Sequence, residues 1–566
     1  MVDSAGTRRS PKPRVDAFTF VLHWALVAVL VISLLTGLRI AADYEESIAG
    51  RLASSIDWLL LKGRVIDWHV TAGWTLTFIA ISYAAFVWRS RQAMRVRLDR
   101  GVLRSIAQAR RSGRLWSSIS AWFAINVVVY QVAFGLIALM ALSGWMLYGG
   151  VRLGLSAHTV STVHGIAAWS FVLYVVLHVL TQLKAGNFWK IFRPRLDYTV
   201  AAGVAVVMSA TAVTAAYMAD RGGLGELRIA QVDLAPVLDG DGSEVVWRDA
   251  RAVAIHTTRG ANLPNGEVTV HVKAVHDGER VYLQFRWADP QRSQKHLPLV
   301  KTEAGWRVLQ SAYDTNDETV YYEDKLAVLL SRRAALATGT VHLGQDLVEG
   351  PHQPITRGLH FTDDGSIADL WHWKSVRTGG MSPGFADDNY FGPPMPSTTP
   401  KVRYTGGYTQ DPKESGGYTL NWTKIDPDKP LGDTLVVPKF LPGNPDVLAR
   451  MSAIDLDPEA SDAGVWFMDA AETVPYDPEL DDYPVGTVLP GVVIDGPFTG
   501  DRGDVLAAGR WRDGHWTVEM SRLLDTGSQL DLPLAHGRDA YLWVAVFNHN
   551  QTRHSQHLHP ARLVLD

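Results

Sequence analysis

The 566-residue chain has no cysteine. That absence excludes disulfides, thiolate zinc sites, cysteine-ligated iron–sulfur clusters, covalently attached c-type haem and a thiol nucleophile. A metal centre here has to use His, Met, Lys, Tyr or carboxylates. The chain also lacks a Gly-rich nucleotide loop in a βαβ setting, a nucleophile elbow and any molybdopterin- or flavin-type domain. It therefore reads as lacking a substrate-transforming centre of its own. No repeat of 20–50 residues is present. Each half is short of one sign of charge. Residues 1–220 hold 10 Asp+Glu against 22 Lys+Arg, and residues 221–566 hold 32 Lys+Arg against 48 Asp+Glu. Such asymmetry points to two environments and away from a nucleic-acid binder.

Five stretches lack Lys, Arg, Asp and Glu altogether: Phe18–Leu38, Val70–Trp88, Ala121–Leu147, Gly165–Leu183 and Thr199–Tyr217. Each is long enough to cross a hydrocarbon core of about 30 Å. The first is too long for a signal-peptide core and carries His23 and Trp24 inside, so it reads as a retained helix. Basic residues in the loops set the orientation. The N-terminal arm (Arg8, Arg9, Lys12, Arg14), the nine arginines of Arg89–Arg114 and the fourth loop (Lys184, Lys190, Arg193, Arg195) together hold 17. The other two loops hold 5: Arg39, Arg51, Lys62, Arg64 and Arg152. The bias predicts a cytoplasmic N-terminus, with the C-terminal half delivered to the opposite, periplasmic side of a bacterial inner membrane.

Ionisable residues inside membrane helices are functional candidates by default. His164 and His178 lie 14 apart, on one face of the fourth span and about 21 Å apart along its axis. His23 enters the first span near the cytoplasmic side. His69 opens the second span at the outer side. Depth therefore pairs His23 with His178 and His69 with His164. Two imidazole pairs at two depths suit two b-type haems, which need no cysteine. The plain alternative is polar residues joining helices. His158, on a different face from His164, reads as an interfacial residue.

Residues 15–185 resemble the di-haem cytochrome b subunits of bacterial nickel–iron hydrogenases and formate dehydrogenases. The resembling features are His23-Trp24, His69 opening the second helix, and HGIAAWSFVLYVVLH from His164 to His178. The resemblance implies haem b ligation by these four histidines and electron exchange with quinone in the respiratory chain. The fifth span lies outside that four-helix di-haem core and reads as a tether.

Past a glycine-rich junction at Asp220–Gly225 the periodicity falls to two. EVTVHVKAV and RVYLQFRW flank Asp277-Gly278, and GRWR and HWTVEM flank Asp513-Gly514, both hairpin signals. YLWVAVFNHN and ARLVLD read as the last two strands. The fold expected is an all-α membrane bundle over 1–220, followed by an all-β sandwich over 226–566 with long loops such as Phe391–Thr399 and Tyr476–Pro484. The second half resembles the haem-binding subunit of ethylbenzene dehydrogenase and of related molybdenum enzymes acting on dimethyl sulfide, selenate and chlorate. The resembling segments are 276–293, 323–330, 365–380, 502–527 and 541–555.

That second resemblance implies one non-covalent haem b, held between a Met and a Lys. Here Gln551-Thr-Arg-His554-Ser stands where the family lysine lies, and His360 stands ahead of Trp371-His-Trp-Lys374 where the family methionine lies. His360 and His554 are therefore the expected axial ligands of a third haem, with Met381 and His342 in reserve. His557-x-His559 is a possible zinc or copper pair on a strand, against a solvated polar edge formed by His549, His557 and His559. Asp477, Glu479, Asp481 and Asp482 read as a solvated acidic loop, with calcium as the alternative. The function expected is electron transfer between membrane quinone and a periplasmic redox protein or oxidoreductase subunit. Two alternatives are a membrane-anchored ligand-binding or sensor module, and a stand-alone reductase of a small oxidant at the outer haem.

Overall fold

The computed structural model describes residues 15–41, 48–56, 59–60, 65–90, 97–149, 153–185, 188–222, 225–333, 339–341, 359–362, 365–381, 383–392 and 408–566. They form two compact units, 1–223 and 224–566.

The first unit is helical: α1 (Ala17–Ala41), α2 (Ile48–Ser55), α3 (Val65–Arg89), α4 (Arg100–Arg111), α5 (Ile119–Gly149), α6 (Ala157–Lys184) and α7 (Thr199–Gly222). Among the described residues, five of these are long and apolar enough to span a membrane: α1, α3, α5, α6 and α7. They match the five uncharged stretches. Many of their large apolar side chains face outward, as helices surrounded by lipid require. Helix α1 packs on α3, α3 on α5 and α7, and α5 on α6.

Helix α7 is more than a tether. Ala201, Ala205 and Ser209 recur every four residues and let it approach Ala85 and Phe86 of α3, where Ser82 Oγ donates to Ser209 Oγ at 2.8 Å. Helix α4, which apolar runs alone do not reveal, starts at the cap Asp99, whose Oδ1 accepts from the Val102 N–H at 2.9 Å. Val15 and Asp16 pair with Pro194 and Arg195, so the entry to α1 and the approach to α7 lie side by side.

In the second unit the main sheet has twelve strands among the described residues. They are β1 (Glu226–Gln231), β2 (Val253–Thr257), β3 (Val268–His276), β4 (Arg280–Ala288), β5 (Lys325–Ser331), β6 (Ala368–Lys374), β7 (Asp387–Phe391), β8 (Tyr408–Gln410), β9 (Leu506–Arg512), β10 (His515–Leu523), β11 (Ala540–Phe547) and β12 (Ala561–Leu565). The order is β8–β7–β6–β5–β11–β12–β1–β3–β4–β10–β9, with β2 on β3. The two hairpins fall as the sequence predicts. His276 pairs with Val281 across Gly278, and Arg512 pairs with His515 across Asp513-Gly514, both of which have positive φ as a two-residue turn of this hand requires.

The sheet curls until its two halves face each other. Trp373 of β6 meets Trp516 of β10 at 5.0 Å, Trp287 of β4 stacks on Trp516 at 6.4 Å, and Phe385 bridges to Leu506. The alternation of β6 explains this. Trp371 and Trp373 point into the core, whereas Leu370 and His372 leave by the opposite face. Each fully buried Leu, Val or Phe in that core contributes about 1.5–3 kcal/mol. The long loops carry smaller sheets, such as the one joining Leu299–Thr302, Gly305–Val308, Trp422–Lys424, Val436–Pro438 and Val488–Leu489.

Candidate functional sites

In the helical unit four histidines meet in two pairs. His23 of α1 faces His178 of α6 with ring centroids 6.4 Å apart. His69, in the first turns of α3, faces His164 of α6 at 6.3 Å. A metal bound by two imidazole nitrogens at about 2.0–2.1 Å each, with each nitrogen about 1.1 Å from its ring centre, holds two centroids about 6.3 Å apart. The donor set and the spacing therefore fit an iron between each pair.

The surroundings fit as well. Thr36 Oγ1 lies 2.9 Å from His69 Nδ1, and Ser143 Oγ lies 2.8 Å from His164 Nδ1. Each hydroxyl also donates to its own helix backbone, Thr36 to Ile32 O and Ser143 to Leu139 O, and so is left to accept from the ring. That places the proton on Nδ1 and leaves Nε2 for a metal. The next residue in each case is glycine. A Cβ on Gly37 would lie 3.3 Å from His69 Cε1, and one on Gly144 would lie 3.4 Å from His164 Cε1. A Thr-Gly and a Ser-Gly thus serve His69 and His164 in the same way. Replacing Gly37 by Val should displace the His69 ring and lower the haem b content that depends on His69 and His164 while sparing that of His23 and His178. Pyridine haemochrome quantitation of the purified variant checks this, and unchanged content would remove Gly37 from the site.

The His23–His178 pair has a different shell. His23 Nδ1 and His178 Nδ1 are buried without a hydrogen-bond partner. Tyr174 stacks on His178 at 5.6 Å, Tyr130 lies edge-on at 5.8 Å, and Trp24 flanks His23 at 5.5 Å. Beside them Gln182 Nε2 donates to Asn126 Oδ1 at 2.7 Å and to Tyr130 Oη at 3.3 Å, and Thr181 Oγ1 donates to Asn126 Oδ1 at 3.2 Å. These second partners went unread in the sequence, because Ser, Thr, Gly and Asn are ordinary in membrane helices.

In the β unit, His554 lies against the outer face of the main sheet. Its ring is 4.8 Å from Phe547, on which His372 also stacks at 5.2 Å. The face is apolar, built from Ala327, Leu329, Leu370, Phe391, Tyr408 and Phe547. His554 Nδ1 lies 2.8 Å from the Ser555 carbonyl, which only accepts, so Nδ1 carries the proton and Nε2 keeps its lone pair. His372 Nε2 is buried without a partner. Burial above all, then the charges of Lys374 and Lys325, hold the His372 imidazole well below its ordinary pKa and so neutral. Period-two alternation in Trp371-His-Trp-Lys374 was the signal for His372, since it sends His372 to the face opposite the tryptophans.

Lys374 itself is engaged elsewhere, by Asp387 and by Tyr418 Oη. The backbone of His360 pairs with Thr340, and two residues on, the Thr362 N–H donates to Gly392 O beside Phe391. The His360 side chain and all of His342 lie outside the described residues. Met381 is buried in a separate cluster with Val376, Phe385 and Phe498.

Three secondary readings change. His557 Nδ1 reaches the His559 carbonyl at 2.7 Å, while its Nε2 accepts from the Val544 N–H at 2.9 Å. Both nitrogens serve the backbone, and burial pushes the imidazole pKa down to about 4, so His557 is a structural residue and not half of a zinc pair. His549 is 1% exposed rather than solvated. Asp481 is likewise not solvated. It accepts from Lys301 Nζ at 2.7 Å, Trp306 Nε1 at 2.9 Å and Tyr476 Oη at 3.1 Å, and so pins its loop.

Apolar spanning helices with imidazole pairs at two levels define a multi-pass membrane b-type cytochrome. Residues 14–194 match the prokaryotic cytochrome b561 family, which carries haem b and transfers electrons. The chain belongs to the ethylbenzene dehydrogenase family, whose model spans residues 244–558, more than half its length. No curated protein matches the chain. Among solved structures, it is similar to a family 9 carbohydrate-binding module from Caldicellulosiruptor kristjanssonii in complex with cellotriose, at 8% identity and a TM-score of 0.22, covering 60% of this chain and 93% of that one. It is also similar to a putative carbohydrate-binding protein from Bacteroides uniformis, with the same identity and score, covering 60% and 91%. Likenesses at that score say nothing of function here.

Proposed function

We propose that the protein carries electrons between the quinone pool and a periplasmic redox protein or oxidoreductase subunit, across a bacterial inner membrane. His23 with His178 and His69 with His164 ligate two haems b, and His554 with His360 ligates a third in the β unit. The observation that carries this reading is the pair of imidazole couples at 6.4 and 6.3 Å, sharing one helix at 14-residue spacing. A haem b held in this way supplies a one-electron iron centre whose potential is set by ligands, burial and nearby charge. The chain's own residues do the rest. Thr36 and Ser143 fix the tautomer and orientation of the outer imidazoles. Asn126, Tyr130 and Gln182, beside His178, offer amide and phenol groups that both donate and accept, as a quinone head group passing between carbonyl and hydroxyl forms requires.

The loop-charge bias supports a cytoplasmic N-terminus, and the pairing of Val15–Asp16 with Pro194–Arg195 puts two of the basic segments together. Alkaline phosphatase fused after Asp566 should be active, and the same fusion within 97–110 silent. The reverse pattern would invert the electron path.

For the third haem, the support is the family, the apolar face and the place of His554 against Phe547 on that face. In the full-length protein, His554→Ala should lose one low-spin haem b or turn it high-spin, as read by absorption and EPR spectra. His557→Ala should not, because both its nitrogens are engaged. Unchanged low-spin content in His554→Ala would pass the role to His372, and a haem-free β unit would favour a ligand-binding or sensor module.

A further inference from the structure

We infer that the β unit binds a calcium ion at Asp369, Asp388 and Asp531, a site separate from every haem position above. Asp369 stands on β6, Asp388 on β7, and Asp531 between β10 and β11. One carboxylate oxygen from each lies within 4.8 Å of the other two. Register brings the first two together. Asp388 pairs with Trp371, so it leaves the sheet on the same face as Trp371 and Asp369. Their exposures are 0%, 0% and 7%.

In each carboxylate one oxygen is anchored and the other is not. Asp369 Oδ2 accepts from Arg522 Nη1 and, at 2.9 Å, from the Leu532 N–H. Asp388 Oδ1 accepts from the Asn389 N–H at 2.9 Å, and Asp531 Oδ2 accepts from Thr526 Oγ1. Asp369 Oδ1, Asp388 Oδ2 and Asp531 Oδ1 are buried with no N–H or O–H donor among the described residues, the last lying 3.5 Å from Arg522 Nη1. A further carboxylate stands outside that triad. Asp411, whose N–H donates to the Asp388 carbonyl, is 3% exposed with neither oxygen partnered, and the charges of Asp531 and Asp369 act directly on it. Asp504, whose Oδ1 is also buried without a donor, has its carboxyl within hydrogen-bonding reach of that of Asp388.

Among the described residues, Arg522 is the guanidinium that pairs with this group, at Asp369 and Asp531. Buried carboxylates without compensation are costly and take up either a cation or protons. The donors are all oxygen, which selects a hard cation. Ligands on opposite sides of calcium, at about 2.3–2.6 Å each, lie up to about 5 Å apart, which accommodates the 4.8 Å limit. Magnesium, at about 2.0–2.1 Å, draws its ligands closer and keeps several waters, for which an all-carboxylate buried cage has little room.

The full-length protein in detergent, purified with calcium chloride present and then desalted, should retain one calcium per chain by metal analysis. EGTA should lower the midpoint of its thermal unfolding by several degrees. Calcium chloride should restore it, and equal magnesium chloride should not. Asp388→Asn should lose the bound calcium and the response of the midpoint to EGTA. If that variant does not fold, the wild-type chelation series still decides. No retained calcium, with a midpoint indifferent to EGTA and to calcium chloride, overturns the site and leaves the carboxyls holding protons instead. Equal restoration by magnesium overturns the assignment to calcium. Haem content read on the same samples keeps this outcome distinct from that of the electron-transfer reading.

Discussion

Replacing His178 by Ala is expected to remove one haem b per chain and to leave the other membrane haem in place. His178 stands 6.4 Å from His23 and about four helical turns from His164, so its loss opens the His23–His178 pair alone. A single remaining imidazole does not hold a six-coordinate low-spin iron, and the rings around the pair, the phenols of Tyr174 and Tyr130 and the indole of Trp24, offer no nitrogen lone pair in its place. His164→Ala should do the converse, opening the His69–His164 pair alone. The two variants differ in which midpoint potential disappears from a redox titration, and equal loss of both haems in each would mean that the pairs are not separate sites. Full haem content in all four single alanine variants would end the ligand assignment.

Replacing Arg522 by Met is expected to destabilise the β unit by about 3–5 kcal/mol, because it removes the guanidinium paired with buried Asp369 and Asp531. Arg522 is fully buried, donates to Asp369 and to Leu532 O at 2.8 Å, and lies with its guanidinium 5.0 Å from the Trp371 ring centre. Met fills much of the same volume, so the loss reports stranded charge rather than a cavity. Pairing the change with Asp369→Leu should recover a large part of it. Denaturant unfolding followed by tryptophan fluorescence reads both. A single variant as stable as the wild type would show that the carboxylates are neutral without Arg522.

What the sequence disclosed follows from how far each signal reaches along the chain. The five spans, the histidine pairing and the two Asp-Gly hairpins are local patterns, and the structure brings His23 to His178 and His69 to His164 as depth alone required. Helix α4 escaped because its arginines serve topology and periodicity at once. Thr36-Gly37 and Ser143-Gly144 gave no signal, since nothing in a single helix says that a neighbour's imidazole needs a hydroxyl and a gap. Asp369, Asp388 and Asp531 meet only because a twelve-strand sheet curls on itself, a contact that no stretch of sequence displays. His372 was visible in principle, once the tryptophans on either side of it were assigned to the core.

Haem quantitation on the purified wild-type protein, with a reduced-minus-oxidised spectrum and EPR of the oxidised form, bears most directly on the central claim. The expected result is two low-spin bis-imidazole haems b that require His23, His178, His69 and His164, with a third that requires His554. Fewer than two haems b per chain, or a high-spin spectrum throughout, would contradict a membrane unit built on paired histidines.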